Sequence, residues 1–162
     1  MKAILLLTIL WGGSIQSAFT EVTTISAPTH ENLPLAVEDA TRNYEKLTKS
    51  NVLRPKKIPI EFTSNFGQID TNSNQLELTY RNESTNDIFK IIVFSDKKDD
   101  YNSGYTKIRL VDGTYAYFKE RGIHSTLEFK YGALTYNIGM RKSPNNAELV
   151  LLSSVADSMI QK

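Results

Sequence analysis

From Thr106 to Ile138, apolar and polar residues alternate through four short runs joined in pairs by glycine-containing turns. The first pair reads TKIRLV-DG-TYAYFK and the second TLEFKY-GA-LTYNI. A period of two puts every second side chain on the same side of a strand, so these runs belong to a sheet buried on one face. Asp112-Gly113 is the two-residue signal of a type I′ turn, whose central residues both need positive φ. Such a turn sets Leu110 opposite Tyr115 and Ile108 opposite Tyr117 on an apolar face, leaving Lys107, Arg109, Thr114 and Ala116 on the other. Gly132-Ala133 fits the related type II′ turn, with Tyr131 opposite Leu134, Phe129 opposite Tyr136 and Leu127 opposite Ile138. Glu128, Lys130, Thr135 and Asn137 then share the polar face, and a slip of one residue would bury all four. Gly122 and His124 fall in the connecting loop ERGIHS.

Further strands are expected upstream. Ile58, Ile60 and Phe62 alternate with Pro59 and Glu61, and the proline makes that run an edge strand or a strand start. Asn65 to Asn74 is rich in turn residues. Gln75 to Tyr80 alternates, with Leu76, Leu78 and Tyr80 inward. Asp87 to Phe94 is the most apolar run and reads as a central strand, with Phe89, Ile91 and Val93 on one face. Helices flank the strands. Asn32 to Ser50 carries an apolar stripe of Leu33, Val37, Ala40, Tyr44 and Leu47, with Pro34 early and Glu38 and Asp39 near the positive end of the dipole. Ser143-Pro144 opens a last helix, serine as N-cap, whose stripe is Leu149, Leu152, Val155, Ala156, Met159 and Ile160. The expected fold is α+β: an antiparallel β-sheet of about six to eight strands, a meander of hairpins, with an N-terminal and a C-terminal helix packed on one face.

At 162 residues the chain holds one domain with a real core, expected over residues 33–162. Residues 1–18 read as a signal peptide: Lys2, the apolar run Ala3 to Trp11, then Gly12-Gly13 and a cut after Ser17 or Ala18. That run is too short to span a bilayer, so no stable membrane insertion is expected after cleavage. Residues 19–32 read as a linker, with His30 isolated in it. The expected location is secreted or extracytoplasmic.

Composition removes several chemistries. Nineteen basic against eighteen acidic residues give no basic excess for nucleic acid. There is no cysteine, hence no disulfide, thiolate nucleophile or Cys-type zinc site. Gly-x-Ser-x-Gly, phosphate-binding glycine loops, HExxH and dinucleotide fingerprints are absent. Asp96, Asp99, Asp100 and Asn102 suggest calcium, but their spacing departs from an EF-hand loop and Lys97 and Lys98 offset the charge, so a solvated loop is expected. Asn82-Glu83-Ser84 is a formal glycosylation triplet. No cofactor is expected.

The chain also resembles a known family. Val111-Asp112-Gly113-Thr114 with Tyr115 and Tyr117, Leu127-Glu128-Phe129 with Gly132, Tyr136-Asn137-Ile138 and Val155-Ala156-Asp157-Ser158-Met159 follow one order. In that order they are similar to a C-terminal domain of unknown function in Gram-positive extracytoplasmic proteins, including lipoproteins and anti-sigma-factor ectodomains. The resemblance implies an envelope-associated or secreted domain without known catalytic residues. The function expected is non-catalytic binding or sensing by a monomer. Its partner would be an envelope protein or a small ligand, met on the polar face by Lys107, Arg109, Glu128, Lys130 and Asn137. The competing expectation is a hydrolase of cell-wall glycan using the outward carboxylates Glu61, Glu77 and Glu128.

Overall fold

A computed structural model describes residues 34–95, 101, 104–143 and 145–161. The elements run α1 (Val37–Thr48), β1 (Ser64–Asp70), β2 (Gln75–Arg81), β3 (Ile88–Phe94), β4 (Thr106–Arg109), β5 (Tyr115–Arg121), β6 (His124–Tyr131), β7 (Leu134–Arg141) and α2 (Glu148–Ile160). All seven strands join one antiparallel sheet in the order β1-β2-β3-β7-β6-β5-β4. Helix α1 lies on β1 and β2, and α2 lies on β6 and β7, so the fold is the expected α+β sheet with two helices. It is not one continuous meander. Strands β1 to β3 form one meander and β4 to β7 another, and the second joins the first through its last strand. That junction pairs Phe89 with Met140, Ile91 with Ile138 and Val93 with Tyr136, bringing the apolar sides of both halves together mid-sheet.

Three of the upstream boundaries move. Residues 58–62 form no strand; Ile58 and Ile60 pack half-buried on the core, and Phe62 sets its ring edge-on to Tyr80 at 5.2 Å. The first strand is β1, within the stretch read as turn-rich, and it pairs with β2 from Ser64↔Arg81 to Asp70↔Gln75. Proline cannot complete a ladder at position 59, whereas the β1–β2 turn is held locally. Its anchor is the Asp70 carboxylate, which accepts the Ser73 hydroxyl at 2.7 Å and the Asn72 N–H at 2.9 Å. Those two bonds hold the carboxyl below its ordinary range.

Helix α1 begins at Val37, three residues past Pro34, because Leu35 exchanges both backbone hydrogen bonds with Gly67, each 2.8 Å, and stays extended. The buried stripe is Val37, Ala40, Thr41 and Tyr44; Leu47, expected inside, is 53% exposed. The Thr41 hydroxyl donates to the Val37 carbonyl at 2.6 Å, which lets a polar residue take the buried position. Tyr44 crosses the core and donates to the Asn74 carbonyl at 2.8 Å. Ala40 sits directly over Gly67, where a Cβ would come within 2.3 Å of the alanine methyl. The absent side chain at Gly67 therefore sets how closely α1 approaches the sheet.

The β6–β7 hairpin has the expected register and a Gly132 φ of +61°, as a type II′ turn requires. The β4–β5 hairpin does not. Leu110 N–H donates to the Thr114 carbonyl at 2.8 Å and Gly113 N–H to the Leu110 carbonyl at 2.9 Å, closing a three-residue loop with Gly113 at φ +93°. This is a turn followed by a left-handed glycine, not type I′. The extra residue shifts the pairs to Ile108↔Ala116, Lys107↔Tyr117 and Arg109↔Tyr115. Ala116 and Phe118 therefore point inward, while Tyr115 and Tyr117 join the lysine and arginine on the outer face. Asp112 stabilises this wider loop by accepting both the N–H and the hydroxyl of Thr114 at 2.8 Å. Between β5 and β6 the expected loop reduces to Gly122-Ile123, with Arg121 paired to His124.

Helix α2 starts at Glu148, not Ser143, and has no side-chain cap at Ala147. Pro144 lies outside the described residues. Leu152, Val155, Ala156, Met159 and Ile160 are buried as expected, with Leu149 partly so. The Glu148 carboxylate turns back to accept the Ser143 N–H, ordering the approach to the helix. That bond, more than any other influence, lowers its pKa below 4.5. Burial pushes the Tyr136 hydroxyl up to about 12, while it accepts the Leu53 N–H at 2.9 Å and ties residues 52–53 to the sheet.

Adding the missing methyl in Gly67→Ala should lower stability by about 1–3 kcal/mol in chemical denaturation, through overpacking against α1. Gly67→Ala combined with Ala40→Gly should lose less than the sum of the two single changes; simple additivity would show that the contact does not set the helix position. Glu148 offers a second check. Its folded pKa lies below the unfolded value, so its stabilisation is present above about pH 4.5 and is lost as pH falls through the folded value. Glu148→Gln should therefore flatten the stability–pH curve below about pH 5, and an unchanged slope would remove this carboxylate from the acid response.

Candidate binding face

The helices cover one face of the sheet and leave the other to the strands' alternate residues. Register places Gln68, Glu77, Ile92, Asn137, Glu128, Tyr117 and Lys107 in one row across that outer face. Lys130 and Thr135 lie in the adjacent row with Tyr115 and Arg109. All five expected site residues, Lys107, Arg109, Glu128, Lys130 and Asn137, therefore share one face, although the β4–β5 register differs from the expected one.

They do not form one open patch. Glu128 is 3% exposed, not solvated, and its carboxylate accepts the Asn137 side-chain amide at 3.1 Å. Towards β4 the face is a layer of aromatic rings and cations. Tyr101 stacks on Tyr117 with centroids 3.6 Å apart, Lys107 Nζ lies 3.8 Å from the Tyr115 centroid, and Lys119 Nζ lies 4.4 Å from that of Tyr105. Cations placed over ring faces are held by the ring quadrupole, which orders long side chains that would otherwise be loose. Arg109 Nε donates to the Gly113 carbonyl at 3.3 Å, tying it to the turn.

The open part of the face lies over β3, β7 and β6. Gly139 stands between Lys90 on one side and Thr126 on the other, and its missing side chain leaves a trough of about 360 Å³. Ile88 and Ile92 supply apolar lining, and Lys90, His124 and Asn137 supply polar groups. A Cβ at Gly139 would stand 3.1 Å from the Thr126 methyl and 3.3 Å from the Ser125 carbonyl, so any larger residue would fill the trough. Lys90 is held at the wall by Glu77 at 2.6 Å, and Glu77 also accepts the Thr79 hydroxyl at 3.1 Å. Sequence reasoning overlooked this trough. The available signal was a lone glycine inside a strand, which marks a bulge or a close approach.

The other candidates separate in space. Glu77 and Glu128 lie in one row three strands apart, about 14 Å at roughly 4.8 Å per strand, against the 5–9.5 Å between the carboxylates of glycosidases. Glu61 lies in the connector before β1. His124 sits on the trough wall, and His30 lies outside the described residues. Asn82 is buried, its amide donating to the Glu61 carbonyl at 3.2 Å and its oxygen accepting from Ser84 and Thr85, which ties up the nitrogen a glycan would need. The acidic residues 96–100 and Asn102 lie outside the described residues; among the described residues no group of three His, Asp or Glu could hold a metal ion. Among them, too, no helix is long and apolar enough to cross a membrane.

Fold and face together define an α+β domain with one helix-covered and one open sheet surface. Comparison of the chain with protein-family models, with curated proteins and with solved structures finds no match. The resemblance to the extracytoplasmic domain of unknown function thus rests on the residues quoted for it.

Proposed function

We propose that the protein is a non-catalytic binding or sensing domain, secreted or held at the cell envelope, that meets its ligand on the outer face of the sheet. The observation that carries this reading is the trough at Gly139, a concave, partly apolar surface on rigid strands with Lys90, His124 and Asn137 converging at its walls. Binding sites combine apolar area with a few placed polar groups, and strands hold such groups more firmly than loops. The amino-terminal leader and the family resemblance support an extracytoplasmic setting. With Lys90 already paired to Glu77, the apolar lining suits a small, largely apolar ligand whose polar groups meet His124 and Asn137.

Anilinonaphthalene sulfonate, an aromatic anion that brightens in apolar sites, should bind the purified protein and lose at least about tenfold in affinity in Gly139→Val, which fills the trough. Val111→Ser, remote from the trough, should leave that binding unchanged. Equal dye binding by all three proteins, with matched melting curves, would overturn the reading. Release of reducing ends from peptidoglycan, abolished by Glu128→Gln, would replace it with the glycan hydrolase.

A further inference from the structure

The two edges of the sheet are treated differently. On β1, the backbone groups of Gly67 are taken by Leu35, whose bridge closes the middle of that edge. On β4 the ladder runs the other way. Leu110 bonds to Thr114 across the hairpin, so the alternation of antiparallel pairs turns the peptide groups of Thr106 and Ile108 towards β5 and those of Lys107 and Arg109 away from it. Among the described residues no strand lies beyond β4. Beside this edge, on the helix side, runs a groove of about 670 Å³ lined by Ile108, Arg109, Val111, Leu149 and Val150 and by polar residues from α2 onwards, Asp157 among them. Val111 is 62% exposed and Val150 72% exposed, and Asp157 accepts the Val111 N–H at 2.9 Å, so helix and strand edge are already joined there.

We propose that β4 is a docking edge for an extended peptide that alternates apolar and acidic residues and adds as an eighth strand. Its backbone would pair with the N–H and C=O groups of Lys107 and Arg109. In such strand addition main-chain bonds supply affinity and alternate side chains supply specificity. One set of the peptide's side chains would point to the helix side and cover Val111 and Val150. The other would point to the outer face, where Lys107 and Arg109 present two cations and β4 itself carries no acid. Charge also argues against a second copy as the occupant, because β4 paired with itself would bring Lys107 and Arg109 of both copies together. Lysine on an edge commonly serves to repel other strands. Repulsion alone does not account for two exposed valines bordering the groove beside it. The proposal is independent of the trough at Gly139, and either can fail without the other.

The test uses two synthetic peptides of about eight residues, somewhat longer than a typical strand, one alternating Asp with Val and the other Lys with Val. Fluorescence anisotropy with the purified protein should show the acidic peptide binding at least about tenfold more tightly. Amide exchange by NMR should show it slowing the N–H groups of Lys107 and Arg109. Lys107→Glu with Arg109→Glu should reverse the preference between peptides. Val150→Asp, at a surface position with unchanged melting, should weaken the acidic peptide about fivefold or more. The proposal is overturned if neither peptide binds, if both bind alike, or if binding leaves those two amides unprotected. It is also overturned if they are protected without peptide in proportion to protein concentration, which would make a second copy the occupant.

Discussion

The pairing of β3 with β7 is the contact on which the rest of the structure depends. It joins two meanders that are otherwise separate hairpin stacks, and it does so through Ile91↔Ile138, Val93↔Tyr136 and Phe89↔Met140. Five of these six residues are at most about 1% exposed, and each such large side chain contributes about 1.5–3 kcal/mol by leaving water. The two helices then divide the inner face, α1 over the first meander and α2 over the second. Neither helix carries a side-chain N-cap, so their placement comes chiefly from packing, as where Gly67 lies beneath Ala40.

That inner face constrains the outer one. Once the apolar side of each strand is committed inward, the remaining residues are presented in rows whose partners are fixed by register. Glycine at position 139, required to be slim between Thr126 and the Ser125 carbonyl, leaves the trough, while the one-residue bulge at Gly113 moves two tyrosines outward. Cation–ring contacts then order the β4 side, and among the described residues β4 is the last strand in the sheet. The trough and the edge are consequences of how the core closed.

Much of this was legible from residue spacing alone. The inward sets of β2, β3, β6 and β7 follow from strict alternation, and the Gly132 turn fixes its hairpin because a slip would turn Glu128, Lys130, Thr135 and Asn137 towards the helix-covered face. The stripe of α2 was equally plain. The misplacements share one cause, local signals with two physical solutions. Asp-Gly suits both a two-residue turn and a three-residue loop ending in left-handed glycine, and here Asp112 bonding to Thr114 selects the second. Pro34 and Ser143-Pro144 are good helix starters, yet Leu35 is drawn onto the β1 edge and Glu148 turns back on Ser143, so both helices begin later. Asn65 to Asn74 has turn composition along its whole length, and only its pairing with β2 makes the first half a strand.

By itself the sequence determined the class of fold, the inward residues of the best-alternating strands, and that the five polar residues Lys107, Arg109, Glu128, Lys130 and Asn137 point away from the core. Those properties are set by chain periodicity and need no knowledge of neighbours. The tertiary structure decided the strand order, the burial of Glu128, the trough over Gly139 and the position of β4 at the end of the sheet. Each of these depends on which segments distant in sequence lie side by side, and periodicity is silent on that because every strand with the same alternation is an equally good partner until the core selects among them.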